Sequence, residues 1–341
     1  MDPTADTDDP TGPDDAERDA APAGRVAVLS GGVGAARFLR ALTGVVDPSL
    51  VTAIVNTGDD TVLHGLSISP DLDTVTYTLA EAIDPERGWG LVGETWTAMA
   101  SLERYEAVRP EGSSAATRWF NLGDRDLATH LYRTARLREG ATLGEVTDEV
   151  RRAWGVGVEL VPMSDDRRST VVTLDDEAGT DVGFQDYFVR LRHSVPVRAV
   201  RFDGDAELSA RARDALAEAE TVVVAPSNPL VSIAPIRSLP GVDELLAERR
   251  DRVVAISPIV GGAALKGPAD RMLVELGHEA SVVGVARLLA DVASALVVDP
   301  ADEHLADDVE REGLRCVVVP SIMSDPATAR ALARATLAAV G

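Results

Sequence analysis

Short apolar runs separated by helix-type repeats dominate the chain. RVAVLS (25–30) is followed directly by glycines, and LVTAIV (50–55) is a second apolar run. Between them, AARFLRALTGV places Phe38, Leu39 and Leu42 at helical spacing. The order strand, glycine turn, helix, strand is typical of a βαβ unit and predicts a parallel sheet. Four later runs repeat the strand pattern: TVVVAP (221–226), RVVAIS (252–257), ALVVD (295–299) and RCVVVP (315–320).

Helical candidates lie between and after the later runs, at 208–219, 240–250, 268–276, 280–293, 302–312 and 326–340. The strand candidates are apolar throughout rather than alternating, which suits strands that are covered on both faces. We therefore predict an α/β fold with a Rossmann-like parallel sheet, helices on both of its faces, and a smaller inserted α+β lobe.

The inserted lobe is predicted from the middle of the chain. Residues 93–107 and 124–153 have helical character. The later runs VELVP (158–162), STVVTL (169–174) and VPVRAVRF (195–202) resemble strands with more polar neighbours. We assign 25–130 and 200–341 to the nucleotide-binding core and 131–199 to the smaller lobe. EAVRPEGSSAAT (106–117) resembles a surface loop.

The first 24 residues are rich in Asp, Pro and Ala and contain almost no large apolar side chain. They lack the basic and apolar regions of a signal peptide, so we expect a disordered acidic tail. No stretch approaches 18 uninterrupted apolar residues, so no membrane span is expected.

Charge and cysteine content narrow the classes of function. The net charge is −23, with 56 acidic and 33 basic residues, and Lys266 is the only lysine. Such a surface suits a high-salt cytoplasm and disfavours nucleic acid as a partner. An anionic substrate would need a metal or a local cluster of Arg and helix N-termini. Cys316 is the only cysteine, which excludes a disulfide framework and a Cys-based metal site.

The glycine turn after the first strand is a candidate phosphate site. In SGGVGAAR, Gly31, Gly32 and Gly34 allow backbone N–H groups to approach an anion at a helix N-terminus. The motif is an imperfect dinucleotide fingerprint, because Arg37 takes the third glycine position and Asn56 follows the second strand where an acid would hold a ribose. The glycines could also form a simple turn.

Acids follow the second strand in NTGDDTVLHGLSISPDLDT (56–74). The adjacent Asp59 and Asp60 suit a hard cation such as Mg²⁺, which takes oxygen ligands. An acidic surface loop is the alternative. Asp71 and Asp73 open the next predicted helix, which either of them could cap. Because carboxylates in such a group repel one another, something positive is expected among them.

Three further segments carry polar groups at strand or helix ends. WFNLGDRDLATHLYRT (119–134) combines aromatics with charges and His130, and TVVVAPSNP ends in Ser227 and Asn228. SPIVGGAALKGPADRM contains two glycines and Lys266. Ligands of open α/β sheets bind at the carboxyl ends of the strands. The set therefore indicates a phosphorylated, nucleotide-containing ligand with a divalent metal.

Together these stretches resemble the 2-phospho-L-lactate transferase family, which builds the phosphodiester of the deazaflavin coenzyme F-420. The resemblance covers about residues 25–340, and with the acidic composition it suits a salt-adapted archaeal source. The stretches that carry it are SGGVGAARFLRAL, NTGDDTVLHGLSISPDLDTVTYTLA, WFNLGDRDLATHLYRT, GFQDYFVRLRH, APSNPLVSIAPI and SPIVGGAALKGPADRML.

The resemblance implies a reaction. The donor is a guanosine diphosphate ester of 2-phospholactate or its enolpyruvyl equivalent, and the acceptor is the ribityl hydroxyl of the deazaflavin Fo. The hydroxyl attacks the phosphorus that bears the lactyl group, and GMP leaves. The resemblance also implies Mg²⁺, a homodimer and a cytoplasmic enzyme. Which of the two donors is used stays open.

The resemblance also implies residue roles. Asp59, Asp60 and Asp73 surround Mg²⁺, and Asp60 and Asp73 are catalytic. Asp73 could instead hold or deprotonate the Fo hydroxyl. The predicted Fo side contains Trp119, Asn121, Asp124, Arg125 and Asp126, and the predicted nucleotide side contains Gly31, Gly32, Gly34, Ser227, Asn228, Gly261, Gly262 and Lys266.

The roles of three residues in or near these motifs stay undecided. Arg37 and Lys266 could offset diphosphate charge, and His64 either reaches the site or is structural. Two rival functions are a non-catalytic, nucleotide-sugar-binding regulator of the gluconeogenesis-factor type and an NAD(P)-dependent oxidoreductase. The missing ribose acid and the missing third glycine disfavour the oxidoreductase.

Overall fold

The structure, a computed structural model, describes residues 24–111, 113, 115 and 119–340. The acidic tail predicted for residues 1–24 lies outside the described residues except for its last position. The surface loop predicted for 106–117 lies partly outside them. None of the helices in the described part of the chain is long and apolar enough to cross a bilayer.

Fourteen strands are formed by the described residues: β1 Val26–Ser30, β2 Val51–Val55, β3 Thr61–Leu63, β4 Leu66–Ile68, β5 Glu159–Pro162, β6 Ser169–Leu174, β7 Asp181–Gly183, β8 Val197–Asp203, β9 Thr221–Val224, β10 Val253–Ile256, β11 Ile259–Val260, β12 Ala263–Ala264, β13 Ala295–Val298 and β14 Arg315–Val318. The α-helices are α1 Gly32–Leu42, α2 Pro70–Leu79, α3 Thr97–Glu106, α4 Asp126–Arg138, α5 Leu143–Ala153, α6 Ala210–Glu218, α7 Ala234–Arg237, α8 Val242–Glu248, α9 Ala269–Glu275, α10 Val282–Leu289, α11 Ala306–Arg311 and α12 Pro326–Ala338.

Seven strands form one parallel sheet in the order β14-β13-β10-β9-β1-β2-β5. The chain runs outward from β1 to β2 and β5, and then returns to β9 on the other side of β1. The carboxyl ends of β1 and β9 therefore flank the point where the strand order reverses. Ligands bind at this position in open α/β sheets.

The sheet is buried on both faces, as its apolar strands predict. Along β1, Ala27 and Leu29 enter one core while Val26 and Val28 enter the other. The first core includes α6, α8 and α10, and the second includes α1, α2 and α12. Phe38, Leu39 and Leu42 of α1 are fully buried in the second core, as their spacing predicts. The α/β fold with a parallel sheet and helices around it is thus confirmed.

The predicted smaller lobe needs one correction. β5 lies within residues 131–199, yet it pairs with β2 as the edge strand of the main sheet. Its polar neighbours had suggested a separate sheet, but Leu160 is buried in the core that α1 joins. A three-stranded antiparallel sheet, β7-β6-β8, stands beside the main one. The division of the chain into two domains stays a prediction.

Close packing of α1 against the turn after β9 depends on Gly34. A Cβ atom at Gly34 would lie 2.2 Å from the carbonyl oxygen of Pro226. That atom belongs to the backbone, so it cannot move aside as a flexible side chain can. Gly34 therefore lets the first helix approach the turn that carries Ser227.

Replacing Gly34 with alanine should separate α1 from this turn. We expect Gly34→Ala to lower the free energy of unfolding by about 1–3 kcal/mol, as overpacking does in buried sites. The midpoint of urea unfolding measures the change. Gly183→Ala is the matched control, because the nearest atom to its added Cβ lies 3.8 Å away. Equal midpoints for the two variants would contradict the close-packing argument.

Candidate active site

A cleft of about 770 Å³ opens at the carboxyl edge of the parallel sheet. The segments that follow β1, β2, β9, β10 and β14 all contribute to its lining. The sequence-predicted residues that line it are Gly31, Gly32, Gly34, Arg37, Asp59, Asp73, Trp119, Asn121, Asp126, Ser227, Asn228 and Lys266. The topology thus gathers strand ends that are far apart in sequence into one site.

The glycine turn presents backbone donors to the cleft. Gly31 is extended, and Gly32 has a φ of 69°, in the left-handed region that favours glycine. α1 starts here without a side-chain cap from its N-cap residue, and the Asp71 carboxylate accepts from the Gly32 N–H. Ser227 donates its hydroxyl to the Gly31 carbonyl at 2.8 Å and ties the β9 turn to the β1 turn.

Two cations face the same end of the cleft. Arg37 and Lys266 both line it and are exposed. Partial burial and the charge of Arg37 lower the pKa of Lys266. The Lys266 Nζ lies 2.9 Å from the position that a Cβ atom on Gly88 would take, so it reaches the loop on the opposite wall. Like charges held this close favour an anion between them.

Asn56 organises the acidic end. Its side-chain amide donates to Asp59 and to Asp71, each at 3.0 Å, and its side-chain oxygen accepts from the Gly58 N–H at 2.8 Å. Gln185 donates to the second oxygen of Asp59 at 2.9 Å. Both oxygens of Asp59 are therefore held by neutral amides, which orient the carboxylate without cancelling its charge.

The carboxyl groups of this cluster are short of positive charge. Burial, followed by the charges of Asp71 and Asp60, raises the pKa of Asp59 well above its usual value. Burial also raises the pKa of Asp60 to about 8, and that of Asp71 to about 6. Asp60 accepts from Ser69 at 2.6 Å through one oxygen, while its other oxygen, Oδ1, is buried without a partner. A buried, unpartnered carboxylate oxygen fits a site for a cation.

The positive charge expected among the acids is supplied in part by Arg133 of α4. This guanidinium is 3% exposed and binds both oxygens of Asp73, at 3.1 Å from Nη1 to Oδ2 and by a second, shorter contact from Nη2 to Oδ1. Its charge also lowers the pKa of Asp60, although burial outweighs it there. Asp73 is thus an ion-paired carboxylate on the cleft wall.

The pairing of Asp73 bears on the predicted metal site. In the described residues, no group of three or more His, Cys, Asp or Glu side chains has the arrangement of a metal site. Of the three predicted Mg²⁺ ligands, Asp73 is the least favoured, because Arg133 already binds both of its oxygens. Asp71 accepts from the same Asn56 amide as Asp59, and its charge raises the pKa of Asp59. It therefore belongs to the part of the cluster that lacks positive charge.

Behind Arg133, three more side chains form a buried polar chain between α2 and α4. Tyr77 donates to Asp126 at 2.6 Å, and the second oxygen of Asp126 lies 3.1 Å from His130 Nε2. His130 Nδ1 lies 3.3 Å from Nη1 of Arg133. Since the guanidinium can only donate, a hydrogen bond between these two groups requires His130 Nδ1 to accept.

Aromatic side chains also line the cleft. Trp119 meets Phe120 edge-on at 5.7 Å, and Phe184 stacks on Phe188 at 5.7 Å with 14° between the rings. Trp89 also lines the cleft and is 43% exposed. Exposed aromatic faces in a concave site suit a flat, conjugated ligand.

Several sequence-predicted residues lie elsewhere. Asp124 accepts from the N–H groups of Thr97 and Ala98, both at 2.9 Å, so it satisfies the start of α3. Arg125 donates to the Val92 carbonyl and is not in the cleft lining. Their roles on the acceptor side are therefore not supported by the geometry, because both side chains are used in joining two loops. Other predicted residues outside the lining are Asp60, His64, Gly261 and Gly262.

Sequence reasoning missed the residues that support the acids. Arg133 and Gln185 received no role from the sequence, although both lie in stretches that carry the family resemblance, because their partners Asp73 and Asp59 are far away in sequence. One local signal was available for α4: Asp126, His130 and Arg133 follow at i, i+4 and i+7, which places them on one helical face. A face with three ionisable side chains is unusual for a packed helix.

Solved structures of protein BH3568 from Bacillus halodurans share the fold. One superposes with a TM-score of 0.59 and 17% sequence identity, covering 92% of this chain and 99% of that protein. A second, described as a member of the upf0052 family, gives a TM-score of 0.57 at 15% identity. At such identities the likeness concerns the fold alone.

Closer relatives are proteins named phosphoenolpyruvate transferase. That of Kitasatospora aureofaciens is 44% identical over 319 residues, covering 92% of this chain and 97% of that protein. That of Mycolicibacterium smegmatis is 39% identical, covering 93% and 99%. These relatives are actinobacterial and do not support the expected salt-adapted archaeal source. The profile of the family described as 2-phospho-L-lactate transferase CofD matches residues 26–332. The chain therefore belongs to the 2-phospho-L-lactate transferase CofD family of transferases.

Proposed function

We propose that this protein moves a 2-phospholactyl or enolpyruvyl phosphate group from its guanosine diphosphate ester to the ribityl hydroxyl of Fo, releasing GMP, in coenzyme F-420 biosynthesis. One observation carries the proposal within the family. A single cleft joins a cationic end at Arg37 and Lys266 to an acidic end at Asp59 and Asp73, with aromatic side chains beside them. A donor anion and a flat acceptor fit different ends of such a cleft.

The donor belongs at the cationic end. Its diphosphate would lie at the N-terminus of α1, accept from free N–H groups of the first helical turn and be balanced by Arg37 and Lys266. Local cations are needed there because the net charge of −23 would otherwise repel an anion. Among the residues that the structure describes, the Asn228 side-chain NH₂ group donates only to the thioether sulfur of Met272, at 3.8 Å. It is therefore available to a base or sugar of the nucleotide.

The acceptor belongs at the aromatic and acidic side. The flat ring of Fo would stack against the Trp119 side chain, which lines the cleft. Its ribityl chain would then lead the terminal hydroxyl toward Asp73. Each oxygen of Asp73 bonds to Arg133 but keeps a second lone pair, so it can still accept from a hydroxyl.

The transfer exchanges one bond at phosphorus. The ribityl oxygen forms a bond to the phosphorus that carries the lactyl or enolpyruvyl group, and the bond from that phosphorus to the oxygen of the GMP phosphate breaks. The hydroxyl proton passes to Asp73 and then to water. Such transition states are loose and need positioning and charge balance more than a strong base, which suits an ion-paired carboxylate.

Mg²⁺ is the proposed cofactor, and the unpartnered Asp60 oxygen next to Asp59 supports it, although no group of three ligands is in place among the described residues. Asp59 and Asp60 would hold the ion, with Asp71 beside them, because these carboxyls are buried with too little positive charge and Asp60 Oδ1 has no partner. When bound, Mg²⁺ would neutralise charge on the phosphate oxygens. The homodimer expected for the family also stays part of the proposal.

A direct assay tests the transfer. The purified chain is incubated with Mg²⁺, Fo and either the lactyl or the enolpyruvyl donor, and GMP is measured by chromatography. We expect GMP release that requires Fo, and a faster rate with one of the two donors. Nucleotide-sugar binding without GMP release from either donor would instead favour the regulator of the gluconeogenesis-factor type.

Lys266 should act on the donor rather than on the acceptor. A hydrogen bond to a charged group contributes about 1.5–3 kcal/mol, so we expect Lys266→Gln to raise the KM for the donor by about 10–100-fold. The KM for Fo should change little. Arg40→Gln is the control, because Arg40 is an exposed cation on α1 that pairs with Glu81 at 2.6 Å. An equal rise in both KM values would argue against this placement of the donor.

The raised pKa of Asp60 gives a pH test of the metal site. Between its usual value of 3.8 and the folded value of about 8, Asp60 is protonated in the folded chain and ionised in the unfolded chain. Its stabilising contribution is therefore complete below pH 4 and is lost as the pH rises through 8. Without Mg²⁺, the free energy of unfolding of the wild-type chain should therefore fall as the pH rises from about 4 to 8. Relative to Asp60→Asn, the fall should be up to about 1.4 kcal/mol per pH unit.

Thermal melts with and without Mg²⁺ complete this test. Mg²⁺ should raise the melting temperature of the wild-type chain more at pH 8 than at pH 5.5, because ligands must be ionised to bind it. Asp60→Asn should lose most of this rise, while Asp251→Asn, which removes an exposed carboxyl, should keep it. A rise in Asp60→Asn equal to that of the wild type would remove Asp60 from the metal site.

A further inference from the structure

Arg133 is enclosed behind the cleft wall rather than exposed within it. It is 3% exposed and absent from the residues that line the cleft, yet its partner Asp73 lines the cleft directly. The two guanidinium nitrogens engage the two oxygens of Asp73 separately. This fork-to-fork contact fixes the plane of the carboxylate as well as its charge.

The guanidinium is itself held in place. Nη1 lies 3.5 Å from the Ser67 carbonyl and 3.3 Å from His130 Nδ1. His130 in turn contacts Asp126, which accepts from the Tyr77 hydroxyl. Each link therefore limits the freedom of the next one toward Arg133. The network spans one face of α4 and one face of α2, so both helices fix the position of the fork.

A buried network of charged side chains lowers the stability of the fold unless each charge has a partner. Breaking a buried ion pair by removing one partner costs about 3–5 kcal/mol, and hydrophobic replacements of whole pairs are often neutral. Stability alone therefore does not account for an ionised pair at this place. A functional reason is available, because Asp73 lines the cleft together with Asp59 and aromatic side chains such as Trp119.

We propose that Arg133 is a positioning residue that acts through Asp73. Its fork turns the free lone pairs of the Asp73 carboxylate toward the acceptor hydroxyl in the cleft. This inference rests on the proposed function, because it assigns to Asp73 the hydroxyl of the acceptor. It makes Arg133 a determinant of the transfer step and leaves donor binding to the opposite end of the cleft.

Lysine and glutamine separate the two properties of Arg133. Arg133→Lys keeps a buried positive charge but presents a point charge that cannot grip both oxygens in a plane. Arg133→Gln loses the charge and keeps one amide donor group. The matched control is Arg136→Gln on the same helix, because Arg136 also pairs with a carboxylate, Glu149 at 2.9 Å, but does not line or support the cleft.

The experiment measures GMP release under saturating donor and Fo, with kcat expressed per GDP-binding site so that unfolded protein is not counted. We expect kcat to fall by about 10–100-fold in Arg133→Lys, as for other residues that orient a reacting group, and further in Arg133→Gln. The Kd for GDP should stay within about twofold of the wild-type value, since donor binding is not altered. Arg136→Gln should keep the wild-type kcat.

The possible outcomes distinguish a failure of the inference about Arg133 from a failure of the proposed function. A folded Arg133→Lys variant whose kcat stays within about threefold of the wild type overturns the inference, since the planar grip would then be dispensable. A Kd for GDP that rises together with the loss of kcat also overturns it, because the residue would then act on the whole cleft. If the wild-type chain makes no GMP while it binds GDP, the proposed function fails first. The decision does not depend on Arg133→Gln, which removes a buried charge and is the variant more prone to misfold.

Discussion

The crowding of four carboxyl groups, two after β2 and two in the first turn of α2, is the constraint on which the site depends. Asp59, Asp60, Asp71 and Asp73 all lie where water is largely excluded, and each charge raises the free energy of the others. The chain resolves the conflict in three different ways. Arg133 neutralises Asp73, neutral amides orient Asp59 and Asp71, and the pKa of Asp60 rises. Of the three, only Arg133 supplies positive charge. The remaining carboxyl groups therefore still favour binding of a cation.

The topology explains why this acidic group has a cationic counterpart within reach. Because the strand order reverses between β1 and β9, the glycine turn after β1 lies beside the Ser227 turn and is linked to it by a hydrogen bond. The acids follow β2, on the other side of β1. A ligand that lies across the end of β1 therefore meets donors at one end and acceptors at the other. In a chain with a net charge of −23, this local separation matters more than the overall field.

The parts of this arrangement that could be predicted are local ones. The strands of the main sheet are apolar runs, and α1 is a repeat with one apolar face, so neighbouring residues determine both. β5 was misassigned because its membership in the main sheet depends on β2, about a hundred positions earlier. Composition also could not separate Asp124, which satisfies a helix start, from Asp126, which lines the cleft. The two acids lie in one run, and only the three-dimensional partners differ.

The side chains that hold the acids in place also could not be predicted from neighbouring residues. One of them comes from the segment after the antiparallel strand β7. Gln185 follows β7 and reaches Asp59, so the second sheet contributes a side chain to the cluster at the end of the first. Its neighbour Tyr187 is fully buried and accepts at 2.5 Å from Arg271 of α9, which anchors the segment to the main body of the protein. A change in this packing would therefore move the Gln185 amide and, through it, the Asp59 carboxylate. The geometry of the acidic end thus depends on both sheets together, although Asp59 and Asp60 follow β2 of the main sheet.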